Sequence, residues 1–183
     1  MKDDKIFITS AARTAVATIG KTLKNISAEK LGSCVIDNLL KKSNVDPDEI
    51  NEVIMGQVLT GGAGQNPARQ AAIKSGIPKE KPAFVVNQVC GSGIRSIASG
   101  YQSIKSKDSK IVIAGGQESM SLAPHAIHLR DGKKLGDKEL IDTMIRDGLW
   151  DAFHGYHMGV TAENVAEKFQ VTREEQDRFA LKS

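Results

Sequence analysis

Residues 82–104, PAFVVNQVCGSGIRSIASGYQSI, run from an apolar stretch through Cys90 and the small trio Gly91-Ser92-Gly93 into a segment of different period. Ala83 to Val89 is β-rich and almost continuously apolar, which predicts a buried strand. Ile94, Ile97, Ala98, Tyr101 and Ile104 then recur at three- and four-residue steps, which predicts a helix with these side chains on one face. A strand that turns directly into a helix is the unit of a parallel sheet, whose strands need a crossover to return.

Working outward, the pattern repeats. KIVIAGG (Lys110 to Gly116) reads as the strand after this helix and EVIMGQVL (Glu52 to Leu59) as an earlier strand, ahead of Ala83 to Val89. Asn66-Pro67 opens a helix, ARQAAIKS, that Gly76 can end. Ser27 is placed to cap a helix with an apolar stripe of Ala28, Leu31, Val35, Ile36, Leu39 and Leu40. Cys34 falls on the edge of that stripe and reads as a core residue. Asp46-Pro47-Asp48-Glu49 has the cap, the proline and the acid of a short helix start. KIFITSA (Lys5 to Ala11) reads as a first buried strand. The expected fold class is therefore α/β, a mostly parallel sheet flanked by helices over about residues 5–118.

Beyond Gly116 the character changes. Residues 119–183 hold all four histidines, scattered glycines, and one expected helix near Lys138 to Ile145. Such an excursion from a sheet reads as a lid or assembly loop. Two helices are expected after it, near Thr161 to Phe169 and after the capping box Thr172-Arg173-Glu174-Glu175.

At 183 residues, 40% hydrophobic and 26% charged, the composition is that of a soluble globular domain. Twenty-five Lys and Arg against 22 Asp and Glu leave +3, too small and too scattered for a nucleic-acid surface. Two cysteines and an N-terminus, MKDDKIFITS, without an apolar signal core lead to an expectation of reduced thiols and a cytoplasmic location. No apolar run approaches the roughly 20 residues of a membrane span.

Chemistry centres on the strand-to-helix turn. A thiol attacks as its thiolate, and the unpaired N–H groups at a helix start favour a negative sulfur. Gly91, Ser92 and Gly93 leave room for an acyl group and its carrier to approach Cys90. Two roles fit the residue from its own context: a nucleophile, or a small buried hydrophobe, as free cysteines commonly are. The phosphate alternative is weaker, because CGSGIR has one G-x-G and no further glycine at dinucleotide spacing. His125 and His128, like His154 and His157, are three apart, but no ligand cluster adjoins them, so no metal is expected.

Four stretches in order, GQNPARQAA (64–72), NQVCGSG (87–93), AGGQESMS (114–121) and DAFHGYHMGVTAEN (151–164), with SAARTA near the start, resemble the N-terminal part of a thiolase of the acetyl-CoA acetyltransferase kind. The resemblance covers nearly the whole chain. It implies a layered thiolase-like fold in which residues 119–183 are part of a loop domain that carries the CoA pantetheine and helps assemble a tetramer. It also implies that Cys90 accepts an acetyl group from acetyl-CoA and that a second acetyl-CoA attacks the thioester to give acetoacetyl-CoA and CoA. Residue by residue, His157 and Met158 become CoA and acyl-pocket contacts, and Leu149 a pantetheine neighbour. Met158 also fits a lid-packing role. No cofactor is implied beyond acetyl-CoA and CoA as substrate and product.

The departure from the family is in length. Thiolases carry a second sheet domain with Asn-Glu-Ala-Phe, Gly-His-Pro and Cys-x-Gly motifs, and none occurs here. By resemblance, the base and oxyanion groups lie there and cannot be reassigned to the four histidines. The chain is thus expected to be a truncated or split form, inactive alone and prone to associate through an uncovered apolar face. A separate C-terminal half is one possible partner. The alternative reading is a non-catalytic CoA-binding or assembly remnant. Ketoacyl synthases resemble it less, because GYHMG points to CoA rather than a carrier protein.

Overall fold

The sheet is built around one short central strand. In the computed structural model, which describes residues 5–130, 132 and 135–183, helix α1 (Ala28–Ser43) precedes strand β1 (Glu52–Gly56). Helix α2 (Pro67–Lys74), strand β2 (Ala83–Val86), helix α3 (Ser92–Lys105) and strand β3 (Val112–Gly116) follow. The strands lie in the order β2-β1-β3 and both pairings are parallel, so the expected α/β class holds.

Alternation along β1 assigns its two faces. Val53 and Met55 join Ile36 and Leu40 of α1, Ala68, Ala71 and Ala72 of α2, and Ile113 of β3 in the main apolar core. Gly56 and Ala114 lie on the other face, against α3. Three alanines on α2 let α1, α2 and the sheet approach closely, so this core is formed largely from short and β-branched side chains.

Helix boundaries follow local chemistry. Asp46 and Glu49 form a reciprocal capping box around a 3₁₀ turn, and Thr172 and Glu175 form another at the start of the last helix. Asn66 accepts the N–H of Arg69 at 3.1 Å with Pro67 at the first helical position. Asn44 ends α1 in the left-handed conformation. Ser27 occupies the cap position of α1, but its hydroxyl donates to Glu29 at 2.6 Å instead of receiving a backbone N–H.

Three expectations are corrected, and the face of α3 is a finding of its own. Lys5 to Ala11 forms no strand: Phe7 and Ile8 are 72% and 81% exposed, and neither sheet edge pairs with the segment. β-propensity describes fit to a pleated neighbour, and here no strand lies alongside to pair with the segment. Cys34 is exposed rather than in the core. The apolar stripe of α3 faces outward, with Ile94 78% exposed and Ile97 and Tyr101 also exposed. Its buried face is Ser92, Ser96 and Gly100. A Cβ on Gly100 would sit 3.1 Å from Val112, and the Ser96 hydroxyl lies 2.7 Å from the Gly115 carbonyl, so small residues set the helix close to β3.

The third correction lies in the excursion. The helix expected near Lys138 to Ile145 is displaced, and residues 138–142 are not helical. Strand β4 (His125–Ala126) pairs antiparallel with strand β5 (Ile141–Asp142), and a π-helical turn spans Met144–Leu149. Asp142 accepts the N–H groups of Met144 and Ile145, at 2.9 and 3.3 Å, so it ends the strand and caps the turn. The Thr143 N–H and hydroxyl both reach the Pro124 carbonyl. Helices α4 (Met158–Phe169) and α5 (Arg173–Lys182) close the chain, and neither contains a buried residue. Among the described residues no helix is long and apolar enough to cross a membrane.

One ion pair ties α1 to α2. Lys74 donates to Glu29 at 2.8 Å, with the Glu29 side chain nearly buried and Lys74 partly in solvent. Burial is the largest single influence and raises the Glu29 carboxyl, but hydrogen bonds from Lys74, Ser27 and its own backbone N–H together hold it below the usual glutamate value. A carboxyl depressed in the folded state contributes stability above the unfolded-state value and loses it as pH falls through the folded one. Lys74→Met should therefore cost about 1 kcal/mol near neutrality, less than for a fully buried pair because Lys74 reaches solvent. Urea unfolding from neutral to acid pH should show the wild type losing this increment on the acid side and the variant lacking it.

Candidate functional site

All three parallel strands end at one rim, the position where open α/β sheets present ligand sites. β1 leads into Gln57 and Val58, β2 into Asn87 and the Cys90 turn, and β3 into Gln117 and Glu118. Glu118 spans the gap, its carboxylate accepting the N–H of Val58 at 2.8 Å and that of Leu59 at 3.3 Å. Gln117 donates to Gln57 at 2.8 Å, and Gln57 donates to the Leu59 carbonyl at 3.0 Å. A cleft of about 390 Å³ opens beside this rim, lined in part by Gln57, Gly64, Asn66 and Asn87.

Cys90 is exposed and stands two residues before α3, whose cap position is Gly91. The residue thus precedes a helix start, and it is not a buried hydrophobe. The turn itself was not legible from the sequence. Val89 has φ +50°, a left-handed conformation that costs an L-residue about 1–2 kcal/mol and is rarer still for a β-branched side chain.

Three groups hold that turn. The Ser92 hydroxyl, on a residue 4% exposed, accepts the N–H of Gln88 at 2.8 Å and donates to the Val89 carbonyl at 2.6 Å. The Asn87 side chain accepts the Val89 N–H at 2.9 Å. The Gln88 carbonyl accepts the Gly91 N–H at 3.1 Å. From beneath, β1 presses on the turn at Gly56, where a Cβ would lie 2.4 Å from the Ser92 carbonyl carbon.

Leu149, His157 and Met158 lie at and beside one bridge between two later stretches of the chain. Trp150 and His157 form an antiparallel bridge, and the Asp151 N–H donates to the Tyr156 carbonyl at 2.8 Å, which closes the intervening loop. Leu149 and Met158 flank that bridge in sequence. His157 caps α4: its Nδ1 accepts the Gly159 N–H at 3.0 Å, which leaves Nε2 to carry the proton of the neutral ring. Met158 begins α4 and is exposed. Hydrogen bonds from the backbone N–H groups of His154 and Phe153 hold the Asp151 carboxyl below the ordinary aspartate value. Among the described residues no hydrogen bond or ion pair joins Cys90 to Leu149, His157 or Met158.

Similarity to known proteins covers this whole arrangement. The family model for the thiolase N-terminal domain matches residues 6–183. An acetyl-CoA acetyltransferase of Rhizobium meliloti (strain 1021) is 57% identical over 183 residues, all of this chain and 47% of that protein. One from Paracoccus denitrificans is 54% identical over 98% of the chain and 46% of its own length. A cytosolic acetyl-CoA acetyltransferase of Rattus norvegicus is 51% identical over 98% of the chain and 45% of its own length. The chain thus spans about half the length of the curated relatives it matches. With the family model matched over residues 6–183, the chain belongs to the thiolase family and carries the N-terminal domain of that family.

Proposed function

We propose that this chain is the nucleophile-bearing half of an acetyl-CoA C-acetyltransferase. The observation that carries the reading is an exposed Cys90 in the turn that leads into α3, in a chain 57% identical to an acetyl-CoA acetyltransferase. The Cys90 thiolate attacks the acetyl carbonyl, an S–C bond forms, and CoA leaves as its thiolate to take up a proton. A second acetyl-CoA, after loss of a methyl proton, attacks the acetyl-cysteine carbonyl. The new C–C bond gives acetoacetyl-CoA and returns the Cys90 sulfur as thiolate. Reversed, the same steps are thiolysis. Splitting one condensation into two transfers suits a sulfur that both attacks and leaves well.

Leu149, His157 and Met158 are assigned to the pantetheine and acyl end of CoA, and Met158 would favour short chains by its bulk. The base for the methyl proton and the oxyanion histidine belong to motifs this sequence lacks, so turnover requires the second half of the enzyme. Removing such groups costs about 10² to 10⁴ in rate each. The assembled enzyme would be cytoplasmic and homo-oligomeric, a tetramer by family resemblance.

A specific observation also favours the remnant reading: the outward apolar stripe of α3 and the lack of any buried residue in α4 and α5 suit an assembly module. Incubation with acetyl-CoA followed by peptide mass measurement separates the two. One acetyl group on Cys90, absent in Cys90→Ser, is expected. No acetylation of Cys90, even with a C-terminal half supplied, would overturn the enzyme reading in favour of the remnant.

A further inference from the structure

We infer that Ser92 is a positioning residue for Cys90, acting through Val89; this rests on the proposal that Cys90 is the nucleophile. A valine at φ +50° does not hold that conformation by its own preference. Something must over-determine it. The Ser92 hydroxyl does so from both sides, accepting the N–H of Gln88 and donating to the carbonyl of Val89 itself, at 2.8 and 2.6 Å. Asn87 takes the remaining N–H, that of Val89 itself.

The geometry of this clamp decides where the sulfur goes. Cys90 follows Val89 directly, so the φ of Val89 sets the direction in which the chain bearing Cys90 leaves β2, while the first turn of α3 is held by its packing on Gly56. If Val89 relaxed to an ordinary extended conformation, the chain would leave β2 in another direction and Cys90 would lose its place at the helix start. Ser92 cannot drift with it, because it is buried and packed against Gly56 of β1. The hydroxyl therefore transmits the rigidity of the sheet to the turn. Ser92 acts on Cys90 through Val89 and not by contact with substrate.

The test measures alkylation of Cys90 by iodoacetamide at fixed pH, in a Cys34→Ser background because both cysteines are exposed. Ser92→Ala should slow Cys90 alkylation about fivefold, the population change expected from losing net hydrogen bonds. Adding Val89→Gly to Ser92→Ala should restore most of the rate, since glycine enters the left-handed region without steric cost. A merely structural role would lower the melting temperature of Ser92→Ala without changing the alkylation rate, or would give no rescue by glycine; either result overturns the proposal. If Ser92→Ala does not fold, Asn87→Ala at the exposed end of the clamp decides, with slower alkylation expected and an unchanged rate overturning it. Failure of the underlying reading looks different: Cys90 in the parent protein would then react no faster than a free cysteine.

Discussion

Gly56→Ala should destabilise the chain by about 3 kcal/mol or more, at the upper end of what overpacking costs. The added Cβ would lie 2.4 Å from the carbonyl carbon of Ser92 and 2.6 Å from the nitrogen of Gly93. Both are backbone atoms in the first turn of α3, so no rotamer change relieves the contact. Either α3 lifts from β1, carrying the Cys90 turn with it, or the sheet shifts its register. Gly115→Ala is the control: its Cβ would meet nothing within 4 Å, although Gly115 is paired with Met55 next to Gly56. Chemical denaturation should show a large fall in midpoint for the first and a shift within about 1 kcal/mol for the second. Equal behaviour of the two would mean that α3 is not seated on β1 at this point.

Ile36→Ala should cost about 2–5 kcal/mol, the range for emptying a core isoleucine site. Ile36 is 1% exposed and belongs to the cluster that joins α1, α2 and the sheet. The surrounding alanines Ala68, Ala71 and Ala72 cannot swing into the vacated space, which places the loss towards the higher end. Ile94→Ala, the same chemical change on the outward face of α3, should cost no more than about 0.5 kcal/mol by denaturation. A comparable loss from Ile94→Ala would require that α3 bury its apolar stripe within the folded chain.

These contrasts mark where periodicity informs and where it misleads. The spacing of Ile94, Ile97 and Tyr101 identified α3 as a helix, yet the face it presents to the sheet is Ser92, Ser96 and Gly100. Hydrophobic spacing reports which side chains share a face and says nothing of which neighbour that face meets. Cys34 was misplaced for the same reason, since the edge of a stripe is buried only if the neighbouring element reaches that far. Lys5 to Ala11 has the composition of a strand and no pairing, because a strand is defined by its neighbour. Asp142 could have been read as a cap, but its partner Pro124 to Thr143 contact is nonlocal and left no trace in the residues nearby.

Order along the chain was settled by local chemistry: apolar runs for β1, β2 and β3, prolines and caps for the helix starts, and the position of Cys90 between β2 and α3. These features need only neighbours in sequence, whose spacing is covalent. The left-handed Val89, the Ser92 clamp, the inward turn of small residues on α3 and the Glu118 bridge between strand ends required the tertiary structure. Each depends on how closely two elements pack, and that distance is set by side chains far apart in the sequence.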